Sequence, residues 1–228
     1  MGKDDDVYRL IETAKQFHGH ICPFLVLGIK ASVIALNKLG IDRAEYKESV
    51  GEEILAIVEC NNCFADGVQI ATGCTFGNNS LIYADIGKNA VTVVKRGEWK
   101  GIRVYVDAEN IRSKYFPKDV LELFDRVIVR REGDEKELEE FRQLWEDIGR
   151  ELAGVPEEDF WIKEVNVKPI ERAPIFNSLR CSVCGELVME TKTRKDRDGK
   201  VFCLACLDHV HSVVGRGIEH FNPFEVMK

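Results

Sequence analysis

Two Cys-x-x-Cys pairs, Cys181/Cys184 and Cys203/Cys206, stand eighteen residues apart near the C-terminal end. Each pair bends the backbone so that two sulfurs face one point. Two such knuckles build a tetrahedral thiolate shell, which suits zinc. A shell closed by four cysteines leaves no position for a substrate. The metal is therefore read as structural, replacing a core that so short a segment cannot build. Gly185 follows the first knuckle, where a tight turn is needed. Asp198-Gly199 marks a hairpin leading into the second. Redox disulfide pairs or an iron–sulfur centre are the alternatives. His209 and His211 lie just beyond, in supporting or surface roles, with a ligand swap for one cysteine as the other reading. Lys192, Arg194, Lys195, Arg197 and Lys200 could touch nucleic acid or a partner, but Asp196 and Asp198 dilute the patch to an ordinary exposed loop.

The remaining chain is long enough for one medium core, so residues 1–168 are predicted as an α+β domain, 169–178 as a linker and 179–228 as the zinc module, ribbon-like or treble-clef-like. A net charge of −7 argues against non-specific nucleic-acid binding. The eight cysteines are not spaced like a secreted disulfide framework, and the opening MGKDDDVYRL is no signal peptide. Reduced thiols and a cytoplasmic setting are expected. Pro23, Gly28 and Lys30 interrupt the apolar run 21–36, which therefore makes no membrane span.

Val7, Leu10, Ile11, Ala14 and Phe17 recur at helical spacing. A second helix is predicted from Pro23, suited to the first helical position, to Leu39, with Gly40 as its stop. It is apolar on most sides and should be central and buried. Residues 54–59 read as a strand and 65–72 as a short helix. Residues 81–84, 90–95 and 102–106 read as an antiparallel meander. Helices are predicted over 118–129 and 134–152, the latter with a solvated acidic face, and a last strand over 161–167.

His18, His20 and Cys22 alternate through the segment that enters the second helix. In an extended conformation alternate residues share a face, which aims all three at one point. Cys22 falls at the helix N-cap, where the positive end of the helix dipole favours a thiolate. The plain alternative is a turn with exposed histidines and a packed cysteine. Cys63 and Asp66 share one face at the start of the next helix, and Gln69 lies one turn further on. Gly73 and Gly77 flank Cys74 and Thr75 and would let backbone amides approach a ligand. Asp66 could equally be a helix N-terminal acid, and Gln69 plain surface. Cys60 has Cys-x-x-Cys spacing to Cys63 and is either a fourth sulfur or a packed strand end.

At these residues the chain resembles a family. FHGHICPFLVLGIKAS and CFADGVQIATGCTFGNNSLIYADIGKNAV are similar to the E-subunit family of formylmethanofuran dehydrogenase, many members of which append a four-cysteine zinc finger. The resemblance implies an α+β core, a homodimer and a cleft formed by His20, Cys22 and Pro23, by Cys63 and Asp66, and by Gly73, Cys74 and Thr75. Phe24 departs from the family pattern, where a small residue is common, and Cys60 is not a family position. The resemblance also implies association with the tungsten- or molybdenum-dependent enzyme that reduces carbon dioxide onto methanofuran, hence one-carbon metabolism and methanogenesis. The chain has no pterin-binding domain and no ferredoxin cysteine spacing, so an accessory role is expected rather than that of the oxidoreductase itself.

Two mechanisms fit the resulting site. In one, Cys22, Cys63, Cys74 and a histidine, His20 or His18, hold a second metal, and Asp66 orients the shell from outside. His18, Gln69, Gly73 and Thr75 then contact the bound group. In the other, Cys22 is a nucleophile and His20 its base, handling sulfur or a one-carbon unit. A non-enzymatic zinc-finger docking or nucleic-acid-binding regulator, and a thiol redox or persulfide carrier built on Cys60 and Cys63, are the competing functions.

Overall fold

The computed structural model describes residues 3–214 and 218–220. The chain divides into two compact units, Met1–Glu171 and Arg172–Lys228.

In the first unit, α1 (Lys3–His18) buries Val7, Ile11 and Ala14. The central helix α2 (Pro23–Leu39) starts on its proline and stops at Gly40, whose φ of 65° is the left-handed C-cap expected of a glycine there. It buries eleven of its residues, so it has almost no solvent face. After α3 (Tyr46–Val50), strand β1 (Ile54–Val58) leads into α4 (Cys63–Thr72) and β2 (Leu81–Tyr83). Strands β3 (Ala90–Lys95) and β4 (Lys100–Val106) follow. Next come α5 (Ala108–Tyr115), α6 (Lys118–Phe124) running into a π-turn, α7 (Glu135–Glu151) and β5 (Phe160–Asn166). Asp134 and Glu137 close a reciprocal capping box at the start of α7.

The sheet order is β2-β1-β3-β4-β5. The α+β reading holds, with one difference inside the sheet. Residues 81–83 do not continue a meander; β2 pairs parallel with β1, and β1 lies between β2 and β3. The cause is the connection: β1, α4 and β2 form a helical crossover, the link a parallel pair requires. The other pairs are antiparallel. Leu25 and Ile29 of α2 join Val91, Val93 and Val104 of the sheet in one buried core. Phe124, Phe141 and Trp145 form a smaller aromatic cluster, with the Phe124 and Trp145 rings stacked at 5.0 Å.

Helices α2 and α4 cross at two glycines. A Cβ on Gly28 would lie 2.2 Å from the Phe64 carbonyl oxygen, and one on Gly67 would lie 2.2 Å from that of Leu25. Both contacts are to backbone, so neither neighbour can turn aside. The crossing brings the N-terminal ends of the two helices together.

The second unit is a set of short hairpins: β6 (Ser178–Arg180) with β7 (Leu187–Met189), β8 (Thr193–Lys195) with β9 (Val201–Cys203), and β10 (Ser212–Val214) with β11 (Ile218–His220). Among its described residues only Cys181, Thr193 and Cys203 are buried. Val183, Leu187, Leu207 and Val210 are exposed.

Candidate functional site

Helix α1 ends at His18, and Gly19, with φ of 92°, turns the chain through a bond from its N–H to the Lys15 carbonyl. The chain then runs extended into Cys22, which sits at the N-cap of α2 with φ −140° and ψ 160°. One donor atom each of His18, His20 and Cys22 lies within 4.8 Å of the others. The two imidazole rings are 4.5 Å apart between centroids. Cys22 is buried, whereas His20 is open to solvent.

Helix α4 supplies the other half. Asn62 caps it by accepting the Phe64 N–H, which sets Cys63 in the first turn. Asp66 Oδ2 accepts from His18 Nδ1 at 2.6 Å, and Gln69 Nε2 donates to Asp66 Oδ1 at 3.1 Å. With the proton held on Nδ1 by the carboxylate, the lone pair of His18 is on Nε2. That atom is buried and has no hydrogen-bond partner. A buried polar atom left unpaired costs about 1–3 kcal/mol. A carboxylate fixing one ring nitrogen while the other is free is the arrangement of a metal-binding histidine.

The neighbouring Cys63 side chain, with burial added, pushes the Cys22 pKa up. The Cys22 side chain in turn holds Cys63 down to about 6, against burial. Burial, then the neighbouring His18 ring, lowers His20. Two imidazoles and one or two sulfurs suit zinc or another late transition metal and not magnesium or calcium. Helix α7 walls the group: a Cβ on Gly149 would lie 3.0 Å from Ile21 Cγ2. Glu146, bonded to Lys15 and Arg150 at 2.9 Å each, ties α7 to α1 beside it.

The remaining sequence candidates lie elsewhere. Cys74 follows α4 at its C-terminal end, fully buried, with its Sγ donating to the Ile54 carbonyl at 3.4 Å. Ten helical residues separate the two ends of α4, a rise of about 15 Å, so Cys74 does not join the group. Burial pushes its pKa up to about 11. Gly73 is the left-handed cap of α4, packed so that a Cβ would come 2.4 Å from the Ala44 carbonyl oxygen. Thr75 exchanges bonds with Asn78 in a local turn. Asn78 also donates to the Gly73 carbonyl and to Ser49, a tie that only the folded loop discloses. Cys60 is buried and donates to Asn62 Oδ1 rather than to Cys63. Glu146 and Gly149 were not singled out by the sequence, because on the acid-rich surface of α7 nothing distinguishes them.

In the second unit the sulfurs of Cys181, Cys184, Cys203 and Cys206 all lie within 4.8 Å of one another. The set could hold a metal such as zinc. The Val183 and Cys203 N–H groups donate to Cys181 Sγ, and the Cys206 N–H donates to Cys203 Sγ, as backbone amides do around a thiolate-bound metal. Burial opposes the Cys181 thiolate, yet the N–H groups of Cys184, Cys203 and Val183 hold its pKa down to about 6. His209 and His211 bond to nearby carbonyls, Val210 and His209 respectively.

Residues 17–162 match the family described as "FmdE, Molybdenum formylmethanofuran dehydrogenase operon". A relative from Archaeoglobus fulgidus, described as a "Probable S-adenosyl-L-methionine-binding protein", is 58% identical over 214 residues. That alignment takes in 94% of this chain and 57% of the relative, so the chain spans little more than half of the relative's length. A solved structure from Syntrophus aciditrophicus, described as a "tungsten formylmethanofuran dehydrogenase subunit e (fmde)-like protein", superimposes with a TM-score of 0.55. It is 24% identical, covers 88% of this chain and 91% of its own, and shares the fold. No helix among the described residues is long and apolar enough to cross a membrane.

Proposed function

The chain belongs to the FmdE family, and from that premise we propose that it is a metal-binding accessory protein of a formylmethanofuran dehydrogenase-type system. Its working centre is the group of His18, His20 and Cys22, with Cys63 beside it. The second unit carries a structural zinc on Cys181, Cys184, Cys203 and Cys206. The supporting observation is the buried, unpartnered Nε2 of His18 opposite an Nδ1 that Asp66 fixes. A metal there would supply Lewis-acid or water-activating chemistry. The chain's own residues do the rest: Asp66 sets the His18 tautomer, Gln69 holds Asp66, and the exposed His20 leaves one side open to a small ligand. Association as a homodimer and docking to the other proteins of such a system belong to the same reading.

Metal analysis tests it. The full chain is expected to carry two equivalents. His18→Ala and Cys22→Ser each remove one, and Asp66→Asn weakens it by about 10–100-fold, the usual penalty for losing a supporting carboxylate. Cys74→Ser is expected to leave the count at two. A single equivalent that no change at His18 or Cys22 removes would refute the centre.

The Archaeoglobus relative supports a second reading, in which the chain binds S-adenosylmethionine. Calorimetric titration of the metal-loaded chain with that compound should give saturable heat if it holds, and none if the binding belongs to the part of the relative that this chain does not span.

A further inference from the structure

A cavity of the first unit lies away from the histidines. Its volume is about 630 Å3, within the range of roughly 300–1,000 Å3 for small-molecule sites. Leu10, Val33, Leu36, Ile41, Ile54 and Ala71 give it an apolar floor. Leu36 and Ala71 stand in the last turns of α2 and α4. The cavity therefore opens at the C-terminal ends of the two helices whose N-terminal ends carry Cys22 and Cys63. The ten residues of α4 put about 15 Å between it and that group.

The polar groups of the rim differ in what already occupies them. Glu45 and Glu48 are tied into the capping box of α3, and Lys95 pairs with Glu98 at 2.6 Å. Asn37, Asp42 and Glu53 make no side-chain hydrogen bond or ion pair with any described residue. Two uncommitted carboxylates beside two helix C-termini favour a positive charge. Arg43 supplies the opposite sign. Its Nε and Nη1 donate to the Ile70 and Ala44 carbonyls at 2.8 and 3.3 Å, which fixes the guanidinium and leaves Nη2 uncommitted among the described residues. Such a cavity suits a ligand with a ring to bury, a cation and a carboxylate of its own.

We propose that this cavity binds a small amphipathic cation that carries a carboxylate, the chemistry of S-adenosylmethionine. This gives the second functional reading a site and rests on that reading. The adenine ring lies on the apolar floor. Asp42 and Glu53 face the sulfonium and ammonium charges, Asn37 meets a polar edge of the ligand, and Arg43 takes its carboxylate. The length of α4 keeps the sulfonium methyl group out of reach of the metal centre, so the ligand bound here is not a reactant of that centre.

The test is calorimetric titration of the full, metal-loaded chain with S-adenosylmethionine. Asp42→Asn and Glu53→Gln are each expected to weaken binding by about tenfold, the usual loss for a contact to a charged group. Val33→Phe fills the floor and should abolish binding. Glu122→Gln, on α6, is the control and should leave the affinity within about twofold, as a surface change does. S-adenosylhomocysteine keeps the ring and the amino acid but lacks the sulfonium charge, and should bind about tenfold more weakly. Binding unchanged in all three cavity variants would overturn the site and leave the reading standing. Binding lost in His18→Ala but kept in Asp42→Asn would put the ligand at the metal centre and overturn the site likewise. Equal affinity for the two compounds would show that the carboxylates do not meet the charge, and would overturn the ligand assignment. No heat with the unaltered chain refutes the reading itself, and the site with it.

Discussion

Stripping metal from the four-cysteine centre is expected to unfold residues 172–228 while leaving the first unit intact. The second unit has almost nothing else to hold it. Its buried described residues are Cys181, Thr193 and Cys203, two of them members of the sulfur cluster. Its strands are three residues long, too short to be stable as isolated hairpins. A structural zinc supplies on the order of 10 kcal/mol of apparent folding energy. That is comparable to the whole stability of an ordinary domain, roughly 5–15 kcal/mol, so its loss outweighs anything the hairpins contribute. Cys203→Ser should act as the chelator does. The measurement is limited proteolysis with mass mapping: cuts should appear throughout 172–214 at low protease, with none in α2 or the sheet. Persistent protection of the second unit after one equivalent of metal has gone would show that its fold does not depend on the centre.

The second large effect is expected from a single methyl group. Gly67→Ala places a Cβ 2.2 Å from the Leu25 carbonyl oxygen and 2.9 Å from the Ile29 nitrogen. Flexible side chains yield to such a contact; two helix backbones do not. Helices α2 and α4 must separate, opening the most buried part of the core around Leu25 and Phe64. A cost of about 3 kcal/mol is expected, at the upper end for overpacking. The separation also moves Cys22 from Cys63 and Asp66 from His18, so metal affinity at the N-terminal centre should fall by about tenfold or more. Gly28→Ala, facing Phe64 from the other side, should behave alike. Gly154→Ala, with nothing within 4 Å of its Cβ, is the control and should leave denaturation unchanged. Equal midpoints for Gly67→Ala and Gly154→Ala would mean that the crossing is not tight.

The sequence made some of this legible through local rules. Pro23 and Gly40 bracket α2 because proline suits a first helical position and glycine a left-handed stop, and both rules need only neighbouring residues. The C-terminal cluster was legible for the same reason: its donors come as two short repeats. Long-range partners were not. The parallel pairing of β1 with β2 depends on where α4 lays the chain down, and the strand pattern of residues 81–83 is the same for either neighbour. Short α3 and α5 carry too few turns to show a period. At the site, the alternation of His18, His20 and Cys22 predicted their convergence, but Gly73 before Cys74 suggested a ligand loop where the fold uses it to cap and pack. Cys60 and Cys63 show the same limit: spacing fixes distance along the chain, whereas Asn62 decides where the Cys60 thiol points.

The two-glycine crossing also restricts how this scaffold can diversify. Its midpoint admits no side chain on either partner, so variation there is closed to selection. The helix tips, where His20 faces water and Phe24 lies under the Arg112 guanidinium, are free to change without disturbing that joint. New chemistry on this frame would therefore arise by exchanging residues at the tips, on a spacing between the helices that stays inherited.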